Sequence, residues 1–179
     1  MKSIQLLKSI ILFLILSSLT ACEEAELTIL PLDTQLGNNT FGCYVDGKLF
    51  IRPYHNNTWG EAFYDRATKK VSVIAKSKDN RSISFIITDT QLYNNNIVDR
   101  ATYSFLSDTV KTSEGIQYKT NNYSKINAEY VNLTKFDTIN HILSGTFELT
   151  LVSDEDSTKT VTLTKGRFDS YLSFTTYPF

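Results

Sequence analysis

Residues 146–151 limit the fold more than any other stretch, because Phe147, Leu149 and Leu151 alternate strictly with Thr146, Glu148 and Thr150. A period of two puts one kind of side chain on each face, the pattern of a β-strand with one side on a core and the other in water. A slip of one residue would expose the whole apolar face, so the register of this strand is strongly specified. The pattern returns at Val161 and Leu163 between Thr160, Thr162 and Thr164, and at Ile83, Phe85 and Ile87 between Ser82, Ser84 and Thr88, although Ile86 falls on the polar side. Val71, Val73 and Ala75 repeat it with Ser72 and Lys76, and here Ile74 breaks the polar face.

Turn residues separate these runs. Phe41-Gly42-Cys43-Tyr44-Val45 and Lys48-Leu49-Phe50-Ile51-Arg52 flank Asp46-Gly47. That dipeptide suits a type I′ hairpin turn, in which both central residues need positive φ. Pro53 should end the second strand, since proline has no N–H for a ladder. Residues 61–65 read as a strand, 68–70 and 78–80 as turns, and the strands around Val73 and Phe85 as neighbours across a short connection. Residues 91–100 (QLYNNNIVDR) are irregular, readable as a loop or as a helical turn around 97–101. Residues 102–106 and 115–119 read as strands either side of a polar connection. Asn121-Asn122 reads as a turn, 128–133 as another strand, 153–157 as a charged turn, and Gly166 as a break before the last strand, which carries Leu172 and Phe174. The expectation is an all-β fold: one antiparallel β-sandwich or β-barrel domain over residues 38–179.

Composition agrees with that class. The chain has 10 Tyr and 11 Phe beside abundant Thr, Ile and Val, residues that favour strands. With 41% hydrophobic and 21% charged residues it can bury a core. A formal net charge of −1 offers none of the basic footprint that phosphate contacts require, so nucleic acid is excluded as an expected partner.

The N-terminus has a separate logic. Lys2 and Lys8 precede the apolar run Ile10-Ile11-Leu12-Phe13-Leu14-Ile15-Leu16, and Ser17-Ser18-Leu19-Thr20-Ala21 leads to Cys22. So short a run with a basic flank fits a signal-peptide core and is too short to span a bilayer. Leu19-Thr20-Ala21-Cys22 resembles the lipobox of bacterial lipoproteins. The resemblance implies that residues 1–21 are removed, that Cys22 becomes the lipidated first residue, and that the membrane is a partner through this anchor. The alternative is an ordinary secretory signal with Cys22 a plain thiol. Glu23-Glu24-Ala25-Glu26 resembles the surface-export signal of Bacteroidetes lipoproteins; a merely solvated acidic tether is the other reading. Residues 22–37 are expected to be a tether, or in their later part a first edge segment, because Pro31 and Gly37 interrupt any regular pattern.

Two further groups of residues resemble one family. Ile142-Leu143-Ser144-Gly145-Thr146-Phe147-Glu148 with Gly166-Arg167-Phe168-Asp169 is similar to the C-terminal motif of a family of uncharacterised Bacteroidetes lipoproteins. Asn39-Thr40-Phe41-Gly42-Cys43 with Asp46-Gly47-Lys48 is similar to its N-terminal motif. The resemblance implies an outer-membrane lipoprotein with a β-rich domain and carries no activity.

Of the two cysteines, an acylated Cys22 would leave Cys43 without a disulfide partner. Cys43 shares a face with Phe41 and Val45 and reads as a small buried hydrophobe rather than a reactive thiol. His55 and His141 are framed by no catalytic motif and read as surface residues. No nucleophile elbow, phosphate loop or His-Glu metal motif appears, so neither cofactor nor metal is expected. Asp154-Glu155-Asp156 lacks the spacing of a calcium loop and reads as a solvated hairpin tip. Tyr54, Trp59, Phe63 and Tyr64, in and after the polar loop at 55–60, form the candidate binding surface, with core packing as the competing role. The expected function is a non-enzymatic, lipid-anchored binding or interaction module on the outer membrane. The alternatives are a carrier enclosing a small ligand in an apolar barrel cavity, and an unrecognised hydrolase.

Overall fold

The computed structural model describes residues 29–52, 60–88, 90–112 and 115–175, and all the regular secondary structure among them is β. Nine strands follow one another: β1 (Thr40–Val45), β2 (Lys48–Ile51), β3 (Gly60–Asp65), β4 (Lys70–Lys76), β5 (Ser82–Thr88), β6 (Ile97–Thr112), β7 (Gly115–Asp137), β8 (Ile142–Ser153) and β9 (Thr160–Thr175). They form one sheet in the order β2-β1-β9-β3-β4-β5-β6-β7-β8, in which β8 also pairs with β9. The sheet therefore curls back on itself and is barrel-like, without closing as a regular barrel.

Alternation does most of this local work. In β5 each apolar residue of Ile83, Phe85 and Ile87 is buried and each residue between is half-buried. Asp46 (φ 47°) and Gly47 (φ 78°) form the left-handed pair a type I′ turn needs, joining β1 to β2. β2 stops at Ile51, two residues before Pro53.

Several expectations are corrected. Residues 97–101 are neither loop nor helical turn: they begin β6, pairing with β5 through Ile97↔Thr88 and Ala101↔Phe85. Asn121-Asn122 makes no turn, because β7 runs straight through and Asn122 pairs with Ser104. The strands at 115–119 and 128–133 are thus one long strand, and the polar connection after 106 is largely strand as well. Gly166 does not end a strand; it sits inside β9 opposite Phe147, next to a register shift. The sheet is also not wholly antiparallel, since β3 runs parallel to β9 from Ala62↔Leu172 to Asp65↔Thr175. β1 follows β9 only as far as Asp169, and β3 takes up the edge hydrogen-bonding groups left beyond it.

Aromatic rings fill the interior. Phe147 lies 5.2 Å from both Phe41 and Phe85, Phe41 5.8 Å from Phe50, and Phe85 5.8 Å from Phe168, in tilted or edge-on pairs. Cys43 is fully buried among these residues, as its place between Phe41 and Val45 implied. Burial pushes its thiol up to about 12, against the pull of Arg81.

Residues 29–39 form no strand, yet they are not free of the domain. They lie as a strap across the outer face of β1, β8 and β9. Pro31 packs so closely over Gly42 that a Cβ there would sit 2.6 Å from the proline Cδ. The later part of the expected tether is therefore part of the folded domain.

Candidate functional site

The strap is held by one carboxylate. Asp169 stands on β9 next to Phe168; Phe168 turns into the core, so Asp169 faces the other way. Its Oδ2 accepts the Thr34 hydroxyl at 2.6 Å and the amides of Leu36 and Asn38 at 3.1 and 3.3 Å. Its Oδ1 accepts the Gly37 amide and the Ser144 hydroxyl, both at 2.8 Å. Ser144 is also its register partner on β8. A carboxylate has only acceptors, and here five donors converge on it. Burial works against its charge, but the hydrogen bonds from Thr34, Ser144, Gly37 and Leu36 outweigh it and hold the carboxyl below the usual range.

Beside the strap lies an open cleft of about 520 Å³, bordered by Asp33 on one side and by Tyr130, Thr146, Glu148, Lys165 and Arg167 of β7, β8 and β9 on the other. Strand alternation explains the charged floor: Thr146 and Glu148 are the outward partners of inward Phe147, and Arg167 pairs with Thr146. Arg167 Nη1 also donates to the Pro31 carbonyl at 3.1 Å, tying floor to strap.

Lys165 reaches the cleft through a bulge. On one side Phe147↔Gly166 is followed by Leu149↔Leu163, and on the other Gly42↔Arg167 by Tyr44↔Thr164, so β9 carries one extra residue against both neighbours. Lys165 takes it up with φ 51°, a conformation L-residues rarely adopt. Its ammonium stands 5.9 Å from the Tyr44 ring centroid, and its amide donates to Glu148 Oε1 at 3.5 Å. The cleft thus presents two cations, two carboxylates and the hydroxyls of Thr146 and Tyr130. That set suits a polar ligand carrying both donors and acceptors.

Of the four residues of the expected binding surface, only Phe63 and Tyr64 are among the described residues. Tyr54 and Trp59 lie outside the described residues, as does His55. Phe63 and Tyr64 belong to β3, the strand expected over residues 61–65. Tyr64 packs against the core, 5.0 Å from Phe136 and 6.2 Å from Phe174. His141 is held in the fold: its ring stacks on Tyr171 at 5.2 Å, and its Nδ1 lies 3.0 Å from the Leu172 carbonyl. Residues 154–159 form a hairpin tip in which Asp156 accepts from the Thr158 amide and hydroxyl. Among the described residues, no three His, Cys, Asp or Glu side chains are placed to hold a metal ion.

Sequence reasoning missed Asp33, Tyr130, Glu148, Lys165, Arg167 and Asp169 as site residues. A signal was present for three of them: Glu148 alternates with Phe147 and Leu149, and Arg167 and Asp169 flank Phe168, so all three must project away from the core. Comparison with protein-family models, with curated proteins and with solved structures gives no significant match.

Proposed function

We propose that this chain is a lipid-anchored, non-enzymatic binding module of the outer membrane, attached through Cys22, with the cleft between strap and sheet as its binding surface. The observation that carries the reading is the sequence Leu19-Thr20-Ala21-Cys22 behind a basic, apolar leader. The docked strap supports it: with residues 29–39 bound to the sheet, only residues 23–28 separate the acylated cysteine from the folded domain. Binding rather than catalysis is favoured by the mixed charges of the cleft floor and by the involvement of His141 in backbone and ring contacts. The interior packing of Phe41, Phe85, Phe147 and Phe168 favours an outer-face site over a ligand enclosed in the barrel.

Fractionation of cells carrying Cys22→Ala tests the anchor. Wild-type protein is expected in the membrane fraction and the variant in the soluble one; a variant that stays with the membrane refutes the reading.

A further inference from the structure

The cleft beside the strap carries a charge pattern that selects among ligands. Glu148 on β8 has Tyr130 on β7 as its register partner, and on its other side it faces the bulge of β9 that carries Lys165. Each step is one strand spacing, about 4.8 Å. Arg167 donates to the Pro31 carbonyl, two residues before Asp33. Each cation of the cleft thus has a carboxylate near it, yet among the described residues none of the four is in an ion pair.

Acid and base therefore alternate around the cleft instead of separating into fields of one sign. An anion drawn to Lys165 meets Glu148, and an ammonium drawn to Glu148 meets Lys165. Neighbouring hydroxyls escape this cancellation, because one donates to a carboxylate while the next accepts from an ammonium or guanidinium. Hydrogen bonds to ionised groups are the strong ones.

Tyr130 adds an apolar surface. It is 42% exposed, and among the described residues its ring pairs with no other ring, whereas Tyr64 and Tyr103 both do. A tyrosine ring with a polar tip suits a partner that has C–H faces and a polar rim. The frame around it is stiff: Asp169 fixes the strap that carries Asp33, and Lys165 keeps a left-handed backbone. Backbone strain of this kind collects at functional sites.

We propose that the cleft takes a neutral oligosaccharide, with one sugar ring against Tyr130 and with hydroxyls that bridge Glu148 to Lys165 and Asp33 to Arg167. This rests on the reading of the cleft as the binding surface and adds the chemical class of its ligand. The cleft volume of about 520 Å³ falls within the range of about 300–1,000 Å³ usual for small-molecule sites.

The test is calorimetric titration of the detergent-solubilised full chain with neutral oligosaccharides of glucose, mannose, galactose or xylose, and with trialanine as a zwitterionic peptide. The expected result is saturable binding of at least one saccharide, changing less than about twofold between about 0.05 and 0.5 M salt, since the ligand has no charge to screen. Tyr130→Ala and Glu148→Gln, both changes at exposed positions, should each weaken it at least about tenfold while the circular dichroism of the domain is retained. Saccharide binding that both variants leave intact puts the sugar elsewhere, and overturns the proposal together with the cleft reading. Trialanine binding that is lost in both variants, with no saccharide bound, keeps the cleft and overturns the sugar. Absence of saturable binding by every saccharide at millimolar concentration overturns the sugar as well.

Discussion

Phe147 lies flat over Gly166, its register partner across β8 and β9: a Cβ on that glycine would sit 2.5 Å from the ring's Cε2 and Cζ. The arrangement is reciprocal two residues away, where Gly145 pairs with Phe168 and a Cβ on Gly145 would meet the Phe168 Cζ at 2.7 Å and the Asn132 carbonyl at 2.5 Å. Each ring covers the glycine of the other strand, filling space that a strand glycine would otherwise leave empty. Gly166→Ala should therefore destabilise the domain by about 2–3 kcal/mol through overpacking. Adding Phe147→Leu should recover part of that loss, because the two sites share one space. Urea unfolding of the two single variants and the double variant measures this, and strictly additive losses would contradict it.

Gly47 gives the opposite case. It has positive φ, which Gly166 does not, and a Cβ there would meet nothing within 4 Å. Gly47→Ala should cost only the backbone strain of the left-handed conformation, about 1 kcal/mol. The same unfolding measurement ranks the two glycines, and Gly166 must cost clearly more.

Asp169 couples strap docking to pH. Its folded carboxyl titrates below an ordinary aspartate, so its contribution is complete above about pH 3.9, the unfolded value, and is lost as pH falls through the lower folded value. Hydrogen exchange should show the Leu36, Gly37 and Asn38 amides protected near neutral pH and exposed in acid before the core amides of β8. Asp169→Asn places an NH₂ donor among five donors and should free the strap even at pH 7, at a cost of about 2–3 kcal/mol. Retained protection of the Gly37 amide in that variant would count against the clamp.

Cys43 should be silent in the folded protein. Fully buried and with its thiol pushed up to about 12, it presents neither surface nor thiolate at pH 8. A disulfide reagent should label no thiol in the native mature protein and one after denaturation. A second thiol on denaturation would mean that Cys22 is free.

Legibility in the sequence followed the range of the interaction. The Asp46-Gly47 hairpin, the β4–β5 pair and the buried face of β8 depend on alternation and on adjacent turn residues, all local. Gly166 and Asn121-Asn122 misled because turn chemistry is also local, whereas their roles are set by partners on other strands, Phe147 and Ser104. The strap clamp joins Thr34 to a residue 135 positions away, and no local pattern announces such a pairing. The bulge that aims Lys165 at the cleft likewise exists only relative to β1 and β8.

The intact mass of the protein extracted from its own membranes tests the role of Cys22 most directly. The predicted result is a chain beginning at Cys22 with the added mass of a diacylglyceryl group, with or without an amide-linked acyl chain. A chain beginning elsewhere, or one with Cys22 unmodified, would contradict it.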